Sequence, residues 1–290
     1  MEASLNLGNG NWAIKEDSLL SYGDENGNFR PLPLDFTRAS SATVINKLGL
    51  IETVDSGISR IDFQGTADGT LLLEPERTNL LPYSEDFTSW NLKQNTTLTP
   101  SSTTSPSGEN DGTKFLSINT GAKVKENFSA VNGTTYTVSV YCKNIDATLI
   151  KLLCYDGVNF FSNEFQSEVN TSTWTRISFT FTAANTGSGQ IQIARDLPDT
   201  ESAYFWGAQV EVGSYPTSLI PTSGSTVTRN QDIFTRDGIG SLINSTEGVL
   251  FVEMAALSDD GTNRRISIAK DGNNKINMVL STSSNTVQAI

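Results

Sequence analysis

The sequence predicts an all-β protein, and two observations lead to that prediction. Apolar residues recur with a period of two, as in Val138, Val140 and Cys142, which alternate with Ser139 and Tyr141. Such a strand buries one face and exposes the other. Helical runs with a 3.6-residue period are missing, while serine, threonine, asparagine and glycine are frequent. Short strands separated by Gly, Asn and Asp turns are typical of a β-sandwich or jelly roll.

Three segments follow from composition. Residues 1–80 are rich in turn residues, show a hairpin pattern over 42–54 and have too few apolar residues for their own core. We therefore expect an extended N-terminal arm for attachment and trimerisation, ordered by packing on a partner or a sister subunit. Residues 81–235 hold the regular strands and predict one jelly-roll or β-sandwich domain. Residues 236–290, about 55 in number, are too few for a sandwich of roughly 100 and predict the incomplete start of a second β domain.

Composition and charge exclude several classes of function. The chain has 20 Lys and Arg against 32 Asp and Glu, for a formal net charge of −12. That balance argues against nucleic acid and against anionic membrane surfaces as partners, because both need an excess of cations. Histidine is absent, which removes the commonest general base and a common metal ligand. No spacing among the acids singles out a glycosidase pair, so the sequence predicts a protein that is not an enzyme and needs no cofactor.

Two stretches of the sequence carry a resemblance to a known family. The first contains Phe36-Thr-Arg-Ala-Ser-Ser, Gly49-Leu-Ile-Glu, Arg60-Ile-Asp-Phe and Leu71-Leu-Leu-Glu-Pro-Glu-Arg-Thr-Asn-Leu-Leu-Pro-Tyr. The second is Trp206-Gly-Ala-Gln-Val-Glu-Val-Gly-Ser-Tyr-Pro-Thr, closing with Val227-Thr-Arg and Asp232. In this order the blocks resemble head-fibre and tail-fibre proteins of tailed bacteriophages, in which they bracket a sandwich like that of carbohydrate-binding modules.

Two further blocks extend the resemblance. The opening Leu5-Asn-Leu-Gly-Asn-Gly-Asn-Trp resembles fibre proteins of phages of Bacteroidetes, including crAss-like phages. Gly248-Val-Leu-Phe-Val-Glu-Met-Ala resembles the start of a concanavalin-like β-sandwich.

The resemblance implies a virion protein, made in the host bacterial cytoplasm and assembled as a homotrimer. Its N-terminal arm would dock to the capsid or to other virion proteins, and its β domains would adhere to host-surface polysaccharide, with avidity from three linked copies. A head fibre is favoured. The alternatives are a tail fibre or receptor-binding protein, a purely decorative capsid protein, and a polysaccharide-degrading spike with its catalytic part beyond Ile290.

A candidate glycan site comes from the residues alone. Sugars are recognised by flat aromatic faces together with amide or carboxylate groups. One predicted loop supplies both, through Tyr155, Asp156, Asn159, Phe160, Phe161 and Asn163. Phe160 and Phe161 are adjacent on a strand, so one of them should face outward. Trp90 and Trp174 are further candidates, whereas the alternating row around Trp206 favours the core.

Five charged residues are interpreted as a structural clamp at the junction between arm and sandwich: Arg38, Arg60, Glu74, Arg77 and Arg229. Pro75 cannot donate to a ladder, so the chain should leave the sheet or run at an edge there. Arg77 is expected to pair with Glu74, with Glu76 or with a carboxylate of a partner chain, because arginine forks often act as clamps. A ligand site is the alternative interpretation of these residues.

Two other groups of residues bear on metal and redox chemistry. Hard cations bind clustered oxygens, which four acids could supply for a structural calcium ion: Asp156, Asp196, Asp199 and Glu201. They form no contiguous Asp-x-Asp-x-Asp loop, so no metal is predicted. Cys142 and Cys154 are expected on neighbouring strands of a hairpin centred near residue 148, where a disulfide requires the Cβ atoms to meet. Buried free thiols are the expected state, because assembly in a cytoplasm disfavours disulfides.

Overall fold

The computed structural model describes residues 35–235 without a break, together with 12–15, 19–23, 29–31, 237, 254–258, 262–269, 275–280 and 287–289. The described chain is almost entirely β, which confirms the predicted fold class. It divides into two units, Met1–Thr235 and Arg236–Ile290. None of the described helical segments has the length and apolar character needed to span a membrane.

The first unit opens with a three-stranded antiparallel meander, followed by six short strands. The meander contains β1 (Trp12–Lys15), β2 (Leu19–Gly23) and β3 (Phe29–Pro31). The short strands are β4 (Asp35–Thr37), β5 (Ala42–Ile45), β6 (Ile51–Val54), β7 (Arg60–Asp62), β8 (Thr70–Leu72) and β9 (Arg77–Asn79). Strands β5 and β6 form the predicted hairpin. Its turn is held by the Asn46 side chain, whose oxygen accepts hydrogen bonds from the backbone N–H groups of Leu48 and Leu50.

A one-turn 3-10 helix (Phe87–Ser89) leads into the ten strands of the β-sandwich. These are β10 (Leu92–Gln94), β11 (Thr96–Thr103), β12 (Gly112–Ser117), β13 (Lys123–Ala130), β14 (Thr135–Asn144), β15 (Lys151–Tyr155), β16 (Phe160–Glu164), β17 (Thr175–Thr182), β18 (Gly187–Ile193) and β19 (Ser202–Val212). Sheet A has the order β10-β13-β18-β15-β16, and sheet B has the order β11-β12-β19-β14-β17. Neighbouring strands are antiparallel in both sheets.

The core lies between sheets A and B and follows the alternation predicted from the sequence. Val138, Val140 and Cys142 are fully buried on one face of β14. Trp90 is also buried in this core, and its indole Nε1 donates to the carbonyl of Tyr83 at 2.8 Å. The suggestion that Trp90 faces a sugar is therefore wrong, because neither face of its ring reaches the surface.

The two cysteines lie on different sheets, Cys142 on β14 of sheet B and Cys154 on β15 of sheet A. The expected hairpin between them is wrong, because the chain crosses from one sheet to the other near residue 148. Both thiols are free and buried, as predicted, and burial raises the pKa of each well above its ordinary value. Neither thiol is therefore a reactive thiolate at neutral pH.

Two short ladders join the segments that flank the sandwich in sequence. Strand β20 (Val227–Arg229) pairs with β9, and β21 (Ile233–Thr235) pairs with β4. Within the predicted arm, β4 and β9 thus pair with the exit segment of the same chain. The attachment and trimerisation role of residues 1–80 stays a prediction.

The described residues of the second unit form an antiparallel sheet of β22 (Arg264–Ala269), β23 (Lys275–Leu280) and β24 (Val287–Ala289), in that order. The strand predicted from Gly248 lies outside the described residues over 248–253. The similarity of this segment to a concanavalin-like sandwich stays a prediction.

Candidate functional site

A buried cluster of charges occupies the junction beside β9 and β20. The nitrogen Arg60 Nη1 lies 2.8 Å from Glu74 Oε2, and Arg229 Nη1 lies 2.6 Å from the same oxygen. Arg38 Nη1 lies 3.1 Å from Asp232 Oδ1, and Arg60 also pairs with Asp232 Oδ2. The structure therefore brings four of the five clamp residues together. Three of them are arginines, and they surround the carboxylates of the fourth, Glu74, and of Asp232. Asp232 was not among those five, although it closes the second fibre-like block.

Arg77 belongs to a neighbouring contact. Its Nε lies 3.8 Å from Glu211 Oε2, and its guanidinium sits 5.6 Å from the ring centroid of Tyr215. The predicted pairing with the carboxylate of Glu74 or Glu76 is wrong, since the ion pair of Arg77 is with Glu211 and its contact with Glu76 is to the backbone carbonyl. No sequence signal identified Glu211, because it lies on β19 at a position that alternates with the apolar Val210 and Val212, yet it is fully buried.

The cluster is enclosed, which bears on whether it could hold a ligand. The guanidinium groups also donate to backbone carbonyls, including those of Asp55, Thr43 and Pro75. Burial raises the pKa of Glu74, but Arg229, Arg60 and hydrogen bonds from Ser218 outweigh burial and hold it below its usual range. Glu74 is therefore ionised between two arginines, and its contacts are those of a clamp between segments far apart in sequence.

A second cluster lies on the outer face of sheet A, where two aromatic rings meet. Tyr155 and Phe160 are directly opposite on β15 and β16, with ring centroids 4.6 Å apart and planes at 29°. Phe160 is 66% exposed. Phe161 turns inward and stacks on Phe181 at 4.7 Å. One phenylalanine of the pair thus faces outward, as the alternation predicted.

The other residues of the candidate glycan site play different parts. Asp156 is buried, and its carboxylate accepts hydrogen bonds from the backbone N–H groups of Val158, Asn159 and Ala184. Burial raises its pKa, but these N–H groups prevail and lower it. The expectation that Asp156 contacts a sugar is wrong, because it is buried, with Oδ1 bound to the N–H groups of its own turn and Oδ2 to the N–H of Ala184. Asn159 is exposed in that turn, whereas Asn163 pairs with Leu152 on the opposite face from Phe160.

Strand register adds two residues that sequence reasoning missed. Tyr155 lies opposite Gln190 on β18, and Gln190 lies opposite Asn127 on β13. Phe160, Tyr155, Gln190 and Asn127 therefore form one row across four strands, which spans about 14 Å at a strand spacing of 4.8 Å. The sequence shows the alternation of Gln190 with Ile191. It does not show that β18 lies between β13 and β15.

The row has polar surroundings that suit a hydrogen-bonding ligand. Gln192 lies on the same face, is only 5% exposed and has a side-chain oxygen without a hydrogen-bond partner among the described residues. A cleft of about 550 Å³ adjoins the Asn127 end, lined by Leu80, Pro82, Ser129, Ser188 and Thr226 among others. Together these features give an open, amide-rich surface with an aromatic platform at one end.

The four acids considered for calcium are dispersed in the structure. Asp196 lies 3.2 Å from Arg195, Glu201 accepts hydrogen bonds from Thr148, and Asp156 holds its own turn. Over the described parts of the chain, no group of three or more acids or cysteines is placed to share a metal ion.

The carboxylates of Glu85 and Asp111, near the start of the sandwich, predict that the stability of the chain depends on pH. Burial, together with the charge of Asp111, raises the pKa of Glu85 from its ordinary 4.5 to about 6. A raised pKa means that the ionised form opposes folding, so stability is lost as the pH rises through 6. We expect Glu85→Gln to stabilise the chain by about 1 kcal/mol at pH 7.5, after allowance for partial exposure, and to have little effect at pH 4.5.

Thermal unfolding at both pH values measures this difference. Glu109→Gln, at an exposed carboxylate in the same region, serves as the control. An equal effect of Glu85→Gln at the two pH values would contradict the assignment.

Comparisons with known proteins find similarity in solved structures only. No protein-family model matches the chain, and no curated protein matches it either. A carbohydrate-binding module of family 61, solved with β-1,4-galactotriose, is 14% identical, with 46% of this chain and 97% of that chain covered and a TM-score of 0.32. The CBM22-1 xylan-binding domain of Paenibacillus barcinonensis Xyn10C is 10% identical, with coverage of 48% and 97% and a TM-score of 0.33.

A phage protein is also among the similar structures. The enzymatically active domain of tailspike protein 4 of bacteriophage CBA120 is 10% identical, with 46% of this chain and 22% of that chain covered and a TM-score of 0.32.

Proposed function

We propose that the sandwich binds a saccharide chain on the outer face of sheet A. The observation that carries this proposal is the exposed Phe160 ring, stacked on Tyr155 and in one row with the carboxamides of Gln190 and Asn127. An aromatic face packs against the C–H side of a pyranose, and a carboxamide both donates to and accepts from hydroxyl groups. The row is therefore complementary to a neutral oligosaccharide that lies across the strands.

The proposal predicts a loss of affinity when the platform is removed. Phe160→Ala should weaken binding at least about tenfold, since central aromatic anchors contribute about 2 kcal/mol when truncated. The ligand is first identified by screening the full chain on an array of neutral oligosaccharides and is then titrated by calorimetry. Leu48→Ala, at a site 82% exposed in the β5-β6 hairpin, is the matched control and should leave affinity unchanged. Equal affinities of Phe160→Ala and wild type would contradict the proposal that the ligand binds at this surface.

We further propose that the chain is a structural component of a phage virion, with a head fibre favoured, that adheres to host-surface polysaccharide. Support comes from the order of the fibre-like blocks, whose charged residues meet at the junction around Glu74 and Asp232. A tail fibre or receptor-binding protein, a decorative capsid protein and a degrading spike are the alternatives. Release of reducing ends from the bound polysaccharide would favour the spike, whereas binding without cleavage is expected.

The fibre proposal includes a homotrimer assembled through the N-terminal arm, and this has its own test. Light scattering should give three times the chain mass of 31.4 kDa for the full chain. Truncation before Asp35 keeps β4 and the charged clamp, so the remaining chain should stay folded while the trimer is lost. A monomeric full chain would contradict the proposal.

A further inference from the structure

We propose a second binding surface, on the outer face of sheet B, that takes the carboxylate of an acidic sugar such as a uronic or sialic acid. It lies on the opposite sheet from Phe160 and does not depend on the function proposed above. Its centre is Lys143 on β14, whose Nζ lies 5.3 Å from the ring centroid of Trp174 and 5.2 Å from that of Tyr204. All three side chains are half-buried and reach the surface.

Among the residues that the structure describes, the ammonium group of Lys143 has no acidic partner. Its one hydrogen bond to a described residue goes to Thr103 Oγ1 at 3.1 Å, and it forms no ion pair with a described carboxylate. Lys114 lies directly opposite Tyr204 on β12, and the described acids form no ion pair with it either. Two cations thus flank one aromatic ring in a chain whose net charge is −12. Aromatic faces supply only part of the stabilisation that a carboxylate gives an ammonium group.

The surface is held in place before any ligand binds. Trp174 Nε1 donates to the carbonyl of Thr104 at 2.9 Å, and a Cβ atom added at Gly112 would lie 3.1 Å from Trp174 Cζ2. The ring therefore rests on backbone that has no room for a side chain. The register of β14 with β19 places Lys143 directly opposite Tyr204, and Lys143 Nζ donates a hydrogen bond to Thr103 Oγ1. Preorganised groups lose little conformational entropy on binding, which favours recognition by a few contacts.

The combination of groups selects the ligand class. The exposed parts of the half-buried Trp174 and Tyr204 rings can pack against the C–H side of a sugar ring, and Lys143 and Lys114 offer charge for a carboxylate attached to it. A neutral sugar would use the rings but leave both ammonium groups without an anion. A small anion would use the charges but not the rings. An acidic sugar uses both.

Fluorine NMR of the full chain labelled with 5-fluorotryptophan tests the proposal, because the chain has only four tryptophans. Trp174→Phe identifies the Trp174 resonance. We expect this resonance to shift saturably with at least one of glucuronate, galacturonate and N-acetylneuraminate at millimolar concentrations, and not with glucose. Lys143→Met keeps the aliphatic stem and should weaken the response at least tenfold. Lys151→Met, at a half-buried lysine of sheet A, should leave it unchanged.

Four results would overturn the proposal. They are no shift of Trp174 with any of the three acids, an equal shift with glucose, an unchanged response in Lys143→Met, and an equal loss in Lys151→Met. Dispersion of the fluorine spectrum shows whether each variant is folded. If Lys143→Met is unfolded, Lys143→Gln takes its place. Phe160→Ala should leave the response to acidic sugars intact, so the two binding proposals fail separately.

Discussion

Replacing Glu74 with alanine is expected to lower the free energy of unfolding by about 3–5 kcal/mol, the cost of leaving buried charges without their partner. Arg60 and Arg229 both direct a guanidinium at Glu74 Oε2, and the backbone N–H of Ser218 donates to Glu74 Oε1 at 2.8 Å. Without the carboxylate, two arginines remain enclosed beside each other. Urea unfolding monitored by tryptophan fluorescence measures the loss.

A neighbouring glutamate provides the control for this change. Glu76 is exposed two residues away, and Glu76→Gln should alter stability by less than about 0.5 kcal/mol. The pH dependence gives a second readout. Because the pKa of Glu74 is lowered, its contribution is present above the ordinary value of 4.5 and is lost as the pH falls through the lowered value. Glu74→Ala should therefore lose less stability on acidification than wild type. A loss of under 1 kcal/mol at pH 7, a threshold set by ordinary surface changes, would contradict the clamp.

Asn79→Ala should have the second large effect, a loss of about 3 kcal/mol or more, because it leaves several buried backbone groups without partners. The Asn79 amide donates to the carbonyls of Ala208 and Ile220, at 3.2 and 3.0 Å. Its oxygen accepts from the backbone N–H groups of Leu81 and Val210, both at 3.2 Å. One side chain thus substitutes for ladder bonds among three segments.

Asn110→Ala is the matched control for Asn79. The Asn110 amide donates a single exposed hydrogen bond, to the carbonyl of Ser101. Its loss should cost no more than about 0.5 kcal/mol. Comparable losses in the two variants would show that the number of buried hydrogen bonds at Asn79 does not determine its contribution.

Local patterns predicted much of the fold, and long-range pairing explains what they missed. The row Val138, Val140 and Cys142 gave the core face of β14, and the turn residues near Asn46 gave the β5-β6 hairpin. Cys154 was assigned to the wrong neighbour because period-two alternation is the same in either sheet of a sandwich. The adjacency of β18 to β15 and β13 depends on the whole topology.

The same holds for the two candidate sites: local sequence patterns predicted some of their residues, and only the fold brings in the others. Outward exposure of Phe160 followed from its position next to Phe161, since neighbours on a strand face opposite sides. Asp156 was misjudged because an aspartate in a turn serves its own backbone as readily as a ligand. Gln190, Asn127 and Asp232 join their sites only through pairing across strands or across more than 150 residues of chain, which no local pattern encodes.

The pairing of β4 with β21 has a mechanical consequence. Asp35 lies opposite Thr235, so the chain enters and leaves the sandwich-bearing region at adjacent points. Tension applied along the polypeptide at these two residues would act on the short β4-β21 ladder and on the ion pair between Arg38 and Asp232. Until they separate, sheets A and B would carry none of that load. The outer face of sheet A that carries Phe160 would then keep its shape while the chain around it is under tension.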